Sequence, residues 1–170
     1  MYMKTSAIGR RLIKTFEGYR SEAYICPAGK WTIGYGHTRG VKEGDTCTKA
    51  QADEFLKEDL RDAENAVNAQ KLDISQHQFD ALVSLVYNIG SGNFQDSTLL
   101  KMLKQDTIAR ESLKEAWSRW KYAGGVMQKG LVRRRAAEYQ LYRHGFFLKT
   151  LPIAILAAVI AIVIIRKNAK

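Results

Sequence analysis

The sequence predicts an α+β fold that is mainly α. Three observations carry that prediction. Apolar residues recur at helical spacing through most of the chain. One stretch, Ala23 to Gly36, breaks that rhythm with two short runs around a turn, the second rich in aromatic and β-branched residues. Near the end, Leu151 to Ile165 carries no charged or polar side chain, which is the pattern of a membrane-spanning helix. With 170 residues the chain has room for one domain with its own core and an appendage.

Residues 5–17 form the first predicted helix. Ile8, Leu12, Ile13 and Phe16 share a face, and Glu17 falls on the last turn. Gly18 suits the position after a helix end. Ala23 to Cys26 reads as a short strand, and Pro27-Ala28-Gly29-Lys30 has turn chemistry. Trp31 to Gly36 returns as the second strand. A hairpin beside a helix end brings Cys26 and Thr32 across from Glu17. The result is a cleft with one acid, one thiol and one hydroxyl at the spacing E-x8-C-x5-T.

Thr38 to Asp45, with Gly40 and Gly44, reads as a loop. Thr48-Lys49-Ala50-Gln51 is a capping box that opens a long helix ending near Gln70, with Phe55, Leu56, Leu60, Ala63 and Val67 inward. Ser75 and Gln78 repeat the box, and Phe79, Leu82, Val83, Val86 and Tyr87 mark a core helix that stops at Asn88 to Asn93. Ser97 caps a short helix through Met102 or Leu103. Two more helices follow, near 107–122 and 130–144, separated by Gly124-Gly125.

The formal net charge of +10 favours polyanionic partners of any kind. Zinc-finger spacing, a glycine-rich phosphate loop and a lysine-dense helix with interleaved aromatics are all missing, so no nucleic-acid partner is predicted. No metal site and no cofactor are implied. Cys26 and Cys47 are too few for a disulfide framework. Two readings stay open: free thiols, or a redox-sensitive pair that blocks Cys26 until reduced. Residues 1–16 spread Lys4, Arg10, Arg11 and Lys14 through an amphipathic pattern without an apolar centre, so they do not read as a signal peptide.

Fifteen residues of helix, Leu151 to Ile165, reach about 22 Å, short of the ~30 Å hydrocarbon core. Phe146, Phe147 and Leu148 extend the span to about twenty residues, with Lys149 able to snorkel. Thr150 is a fair N-cap, Pro152 suits the first turn, and Arg166 and Lys167 end the run. The predicted organisation is a domain over 1–148 and a C-terminal transmembrane anchor with a basic tail over 149–170.

The stretch Glu17 to His37 resembles the catalytic region of the phage-type lysozymes, the endolysins of glycoside hydrolase family 24. Those enzymes place a Glu, an Asp and a Thr at E-x8-D-x5-T, with the Thr inside T-I-G-x-G-H. The matching residues are Glu17, Cys26 and Thr32-Ile33-Gly34-Tyr35-Gly36-His37, with Cys26 where most members have Asp. Gln78 to Ser84, Tyr87-Asn88-Ile89-Gly90, Ser97 to Leu100, and Gly130-Leu131 with Arg133-Arg134-Arg135 and Glu138 extend the likeness over roughly residues 5–145.

The resemblance implies a small catalytic lobe joined by the long helix to a helical lobe. It implies a muramidase cutting the β-1,4 bond between N-acetylmuramic acid and N-acetylglucosamine in peptidoglycan, with inversion. Glu17 is then the general acid, helped to keep its proton by aromatic neighbours such as Tyr24 and Tyr35. Cys26, as thiolate favoured by Lys30 or the general positive potential, and Thr32 hold the water. Gly34, Tyr35 and Gly36 face the glycan, and His37 braces the hairpin. Arg134 and Arg135 serve either the acidic peptide stems or structural ion pairs. The basic tail points to an inner-membrane tether with the domain on the periplasmic side. The opposite orientation needs a holin. The competing reading is a tethered, non-catalytic peptidoglycan-binding protein.

Overall fold

The structure, a computed structural model, describes residues 2–105 and 110–150. It opens with helix α1 (Ala7–Glu17), followed by strands β1 (Arg20–Ile25) and β2 (Trp31–Gly34). Helices α2 (Lys49–Asp59), α3 (Arg61–Asn68), α4 (Gln76–Ile89), α5 (Ser91–Asp96), α6 (Thr98–Leu103) and α7 (Arg110–Ser118) follow. A 3-10 turn (Arg119–Lys121) and strands β3 (Tyr122–Ala123) and β4 (Val126–Met127) lead into α8 (Lys129–Thr150).

Local chemistry sets most of the boundaries. Ser6 caps α1 by accepting from the Ile8 and Gly9 N–H groups, and Asp80 of α4 ties that cap down by accepting from the Ser6 N–H at 2.9 Å. Both predicted capping boxes form with reciprocal bonds, Thr48 with Gln51 and Ser75 with Gln78. Each satisfies donors that a helix start would otherwise leave bare, contributing about 1 kcal/mol.

Two apolar clusters build two lobes. The small one joins Ile33 of β2, Cys47 and Ala52 of α2, with Tyr19, Ala23, Val41 and Phe55 at its edge. The large one centres on α4, whose residues Gln78 to Val86 are buried in an unbroken run. That run is mostly apolar but includes Gln78, Asp80 and Ser84, and α1, α3, α5 and α8 supply its surround. Phe79, Phe94 and Trp117 are the largest side chains fully inside. Each contributes about 2–3 kcal/mol by leaving water.

The predicted long helix over 48–70 is instead two helices that meet at Leu60. Its φ/ψ of −72/−16 tightens the turn, while hydrogen bonds still run from Leu60 to Leu56 and from Glu64 to Leu60. No Gly or Pro stands there, and Leu60 is pinned in the core, so packing and not sequence chemistry bends the connection. Two further elements depart from expectation. Ser91 to Asp96, where the sequence predicts only the end of the core helix, winds one short helix. Gly124-Gly125, read as a break between helices, turns the β3–β4 hairpin with both glycines at positive φ.

The last helix also differs from the sequence reading. It does not end near 144 but runs to Thr150, so Thr150 does not start a new helix. The apolar run 151–165 and the basic tail lie outside the described residues. Among the described residues no helix is long and apolar enough to cross a membrane.

Candidate active site

Glu17 is the final residue of α1. The Gly18 N–H closes the helix on the Lys14 carbonyl at 3.1 Å, and Gly18, at φ 72°, turns the chain at once toward β1. The Glu17 side chain is 24% exposed, and Arg134 Nη1 of α8 donates to its Oε1 at 2.6 Å. The aromatic surround expected around this acid is therefore replaced by a guanidinium. Tyr24 points outward from β1 beneath Arg20, and Tyr35 packs against Tyr19 with Lys14 over its ring.

Arg134 is itself held from several directions. Nε donates to Glu138 Oε1 at 3.1 Å, Nη2 donates to the Ser84 carbonyl at 3.2 Å, and the Phe16 ring lies 5.7 Å from the guanidinium. Glu138 has no exposed surface. It also accepts from Ser84 Oγ at 2.7 Å, Trp117 Nε1 at 3.1 Å and Arg135 Nη2 at 2.9 Å. Of the two roles left open for Arg134 and Arg135, the geometry shows ion pairing.

Cys26 and Thr32 come together on the hairpin. The register pairs Tyr24 with Thr32 and Ile25 with Trp31, which leaves Cys26 just past the end of β1, where it starts the turn. Its N–H donates to the Lys30 carbonyl at 2.9 Å, and the Gly29 N–H donates to the Cys26 carbonyl at 2.8 Å. Thr32 is buried, and its hydroxyl donates to the Lys30 carbonyl at 3.0 Å while also lying within reach of the Cys26 sulfur. That hydroxyl, with backbone hydrogen bonds around Lys30 and Ala28, draws the Cys26 thiol below its ordinary range, against the smaller opposing effect of burial. The positive charge expected from Lys30 is not the cause.

Cys26 is half-exposed and Cys47 is buried, and both are free thiols. Cys47 Sγ lies 3.7 Å from the Arg20 carbonyl, inside the small apolar cluster.

Gly34 is buried and sits at φ 65°, where an added Cβ would come within 3.0 Å of the Ala52 Cβ. Its lack of a side chain lets β2 seat closely on α2. Gly36 is exposed, with the Tyr87 hydroxyl close to where a Cβ would stand. Tyr87 Oη lies 3.4 Å from the Tyr35 carbonyl and joins α4 to the end of the hairpin. His37 Nδ1 meets both oxygens of Asp59 at 2.9 and 3.0 Å, and its ring stacks on Phe55 at 4.5 Å. Among the described residues no cluster of His, Cys, Asp and Glu is placed to hold a metal ion.

Sequence reasoning left two roles open for Arg134 and Arg135, quoted Ser84 and Glu138 only as part of the resemblance, and missed Asp59 and Trp117. One signal was available. Arg134 and Arg135 stand four and three residues before Glu138, the spacings that meet on a helix face. Ser84 and Trp117 come from other helices, and only the tertiary fold delivers them.

The model of the phage lysozyme family matches residues 14–138. An endolysin of Acyrthosiphon pisum secondary endosymbiont phage 1 is 43% identical over 143 residues, covering 82% of this chain and 98% of that protein. The SAR-endolysin of Enterobacteria phage P21 is 39% identical over 131 residues, covering 76% of this chain and 78% of that one. Among solved structures, the muramidase domain of SpmX from Asticaccaulis excentricus superposes with a TM-score of 0.76 at 38% identity, covering 82% of this chain and 97% of that chain. A helical lobe, a small hairpin lobe and an acid closing the first helix thus meet a family match over most of the domain: the chain belongs to the phage lysozyme family and is a lysozyme.

Proposed function

We propose that this lysozyme is a muramidase that cuts the β-1,4 bond between N-acetylmuramic acid and N-acetylglucosamine in peptidoglycan, for lysis of a phage host. Glu17 donates its proton to the glycosidic oxygen as the bond to the anomeric carbon breaks. A water held by Cys26 and Thr32 attacks that carbon from the opposite face and passes its proton to the Cys26 thiolate. The configuration inverts, and the two protons exchange with solvent before the next turnover. Gly36 and Tyr35 border the path of the glycan, and His37 braces the hairpin through Asp59.

The observation that carries this reading is the lowered thiol of Cys26 beside the Thr32 hydroxyl. A thiolate can stand in for the family's carboxylate, and the hydroxyl and backbone bonds favour that charged form.

Residues 149–170 act as an inner-membrane anchor that places the domain on the periplasmic side, with Arg166, Lys167 and Lys170 inside. The uncharged, apolar composition of Leu151 to Ile165 supports this. A holin partner belongs to the opposite orientation.

The test uses purified sacculi digested by the full chain, followed by borohydride reduction of the new ends. Reduced muramic acid is the expected product. It disappears with Glu17→Gln and falls about a hundredfold or more with Cys26→Ser. Reduced glucosamine, or undiminished cleavage by Glu17→Gln, overturns the assignment.

A further inference from the structure

Glu138 lies one residue away from the proposed chemistry, and its surroundings are unusual for an acid. It is wholly buried, and both of its oxygens are met by donors. Oε1 accepts from Arg134 Nε at 3.1 Å, Arg135 Nη2 at 2.9 Å and Ser84 Oγ at 2.7 Å. Oε2 accepts from Trp117 Nε1 at 3.1 Å, and Arg135 Nε lies 2.8 Å from it as an ion pair without hydrogen-bond geometry. These four donors come from α4, α7 and α8.

The charges can be counted. Arg134 and Arg135 supply two positive charges, and Glu138 one negative charge. The cluster is neutral when Glu17 is a carboxylate and carries one net positive charge when Glu17 is protonated. Without Glu138 the protonated state would leave two buried guanidinium groups without a counter-charge, a state that low dielectric opposes strongly.

We infer that Glu138 is a positioning residue for the reaction. It locks the Arg134 fork so that Nη1 aims at Glu17, and its charge balances the second arginine so that Glu17 alternates between acid and carboxylate. This rests on the reading of Glu17 as general acid.

The other groups facing the cluster do not supply that balance. Tyr87 of α4 is held well above the ordinary tyrosine range, chiefly by burial, with the charges of Glu17 and Asp59 adding to it. It stays neutral. Asp59 of α2 is engaged by His37. Tyr142 of α8, beside Trp117, is pushed up to about 12 by burial. Burial draws Arg135 below its usual range, with Glu138 and Glu17 both acting against that, so the four charged groups are electrostatically linked.

The experiment follows the carboxyl carbon of Glu17 by carbon-13 NMR in the full chain in detergent, the signal being identified by its loss in Glu17→Gln. In Glu138→Gln the Glu17 titration midpoint should fall by about one pH unit, and kcat on sacculi at neutral pH about tenfold, with KM within about twofold. In Arg135→Leu the midpoint should rise, because one positive charge has gone and Glu138 remains. Glu138→Asp should return the midpoint toward wild type. A folded Glu138→Gln with an unmoved midpoint, or an Arg135→Leu midpoint that stays or falls, overturns the inference. Arg135→Leu decides alone if Glu138→Gln does not fold. Wild-type cleavage by Glu17→Gln would remove the general-acid reading on which the inference rests, a result separate from any of these shifts.

Discussion

Arg134 Nη1 meets Glu17 Oε1 at 2.6 Å and so joins the last residue of the first helix to the last described helix across 117 residues of chain. The acid that ends α1 is aimed by a side chain of α8. Arg134→Ala would leave the buried Glu138 with one cation fewer and Glu17 without its partner. Loss of one member of a buried ion pair costs about 3–5 kcal/mol. Urea unfolding should show a drop of that size, and sacculus digestion should fall about a hundredfold. Arg134→Lys keeps the charge but not the fork, and should recover stability better than activity.

The Cys26 thiol provides a pH signature. Hydrogen bonds favour its charged form, led by the Thr32 hydroxyl, so thiolate is present at a pH below the ordinary thiol range and grows as pH rises. Thr32→Val removes the leading cause. Its alkylation rate by iodoacetamide, measured from pH 5 to 10 with Cys47 protected by burial, should show the midpoint moving up. An unchanged midpoint would assign the lowering to the backbone bonds of the turn.

Gly34 combines a φ of 65° with a Cβ position 3.0 Å from the Ala52 Cβ. Gly34→Ala should cost about 1–2 kcal/mol from the backbone and about 1–3 kcal/mol from overpacking. Ala52→Gly in the same chain should relieve the second part only. Thermal melting of both single variants and the double variant separates the two contributions, and full recovery in the double variant would show that the backbone is unstrained.

The His37–Asp59 pair closes the hairpin onto the last turn of α2. Asp59→Ala leaves the 7%-exposed His37 without its partner, at a cost of about 1–3 kcal/mol. Hydrogen exchange should show faster opening of Ile33 and His37, whose backbone groups bond each other at 2.8 and 2.9 Å, while α4 remains protected.

What could be read from the sequence was what short range decides. The capping boxes at Thr48 and Ser75, the glycine after Glu17 and the Pro27 turn each involve neighbours within four residues. Cys26 and Thr32 were legible together for the same reason, since one hairpin carries both. The bend at Leu60 was not, because no helix breaker marks it and only packing makes it. The β3–β4 hairpin did carry a signal, a Gly-Gly pair between apolar residues, but the strands are two residues long and the helical rhythm on either side masked it. The partner of Glu17 lay beyond the reach of pattern altogether. Arg134 was visible as one of three successive arginines, and nothing local says which of them turns inward to an acid on the far side of the domain.

The unbroken run of α8 gives the molecule a mechanical property. From Arg134 to Thr150 the helix spans about 24 Å at 1.5 Å per residue. A helix of this kind transmits tilt as a stiff rod does. The guanidinium that clasps Glu17 is therefore carried on the same continuous helix as Thr150.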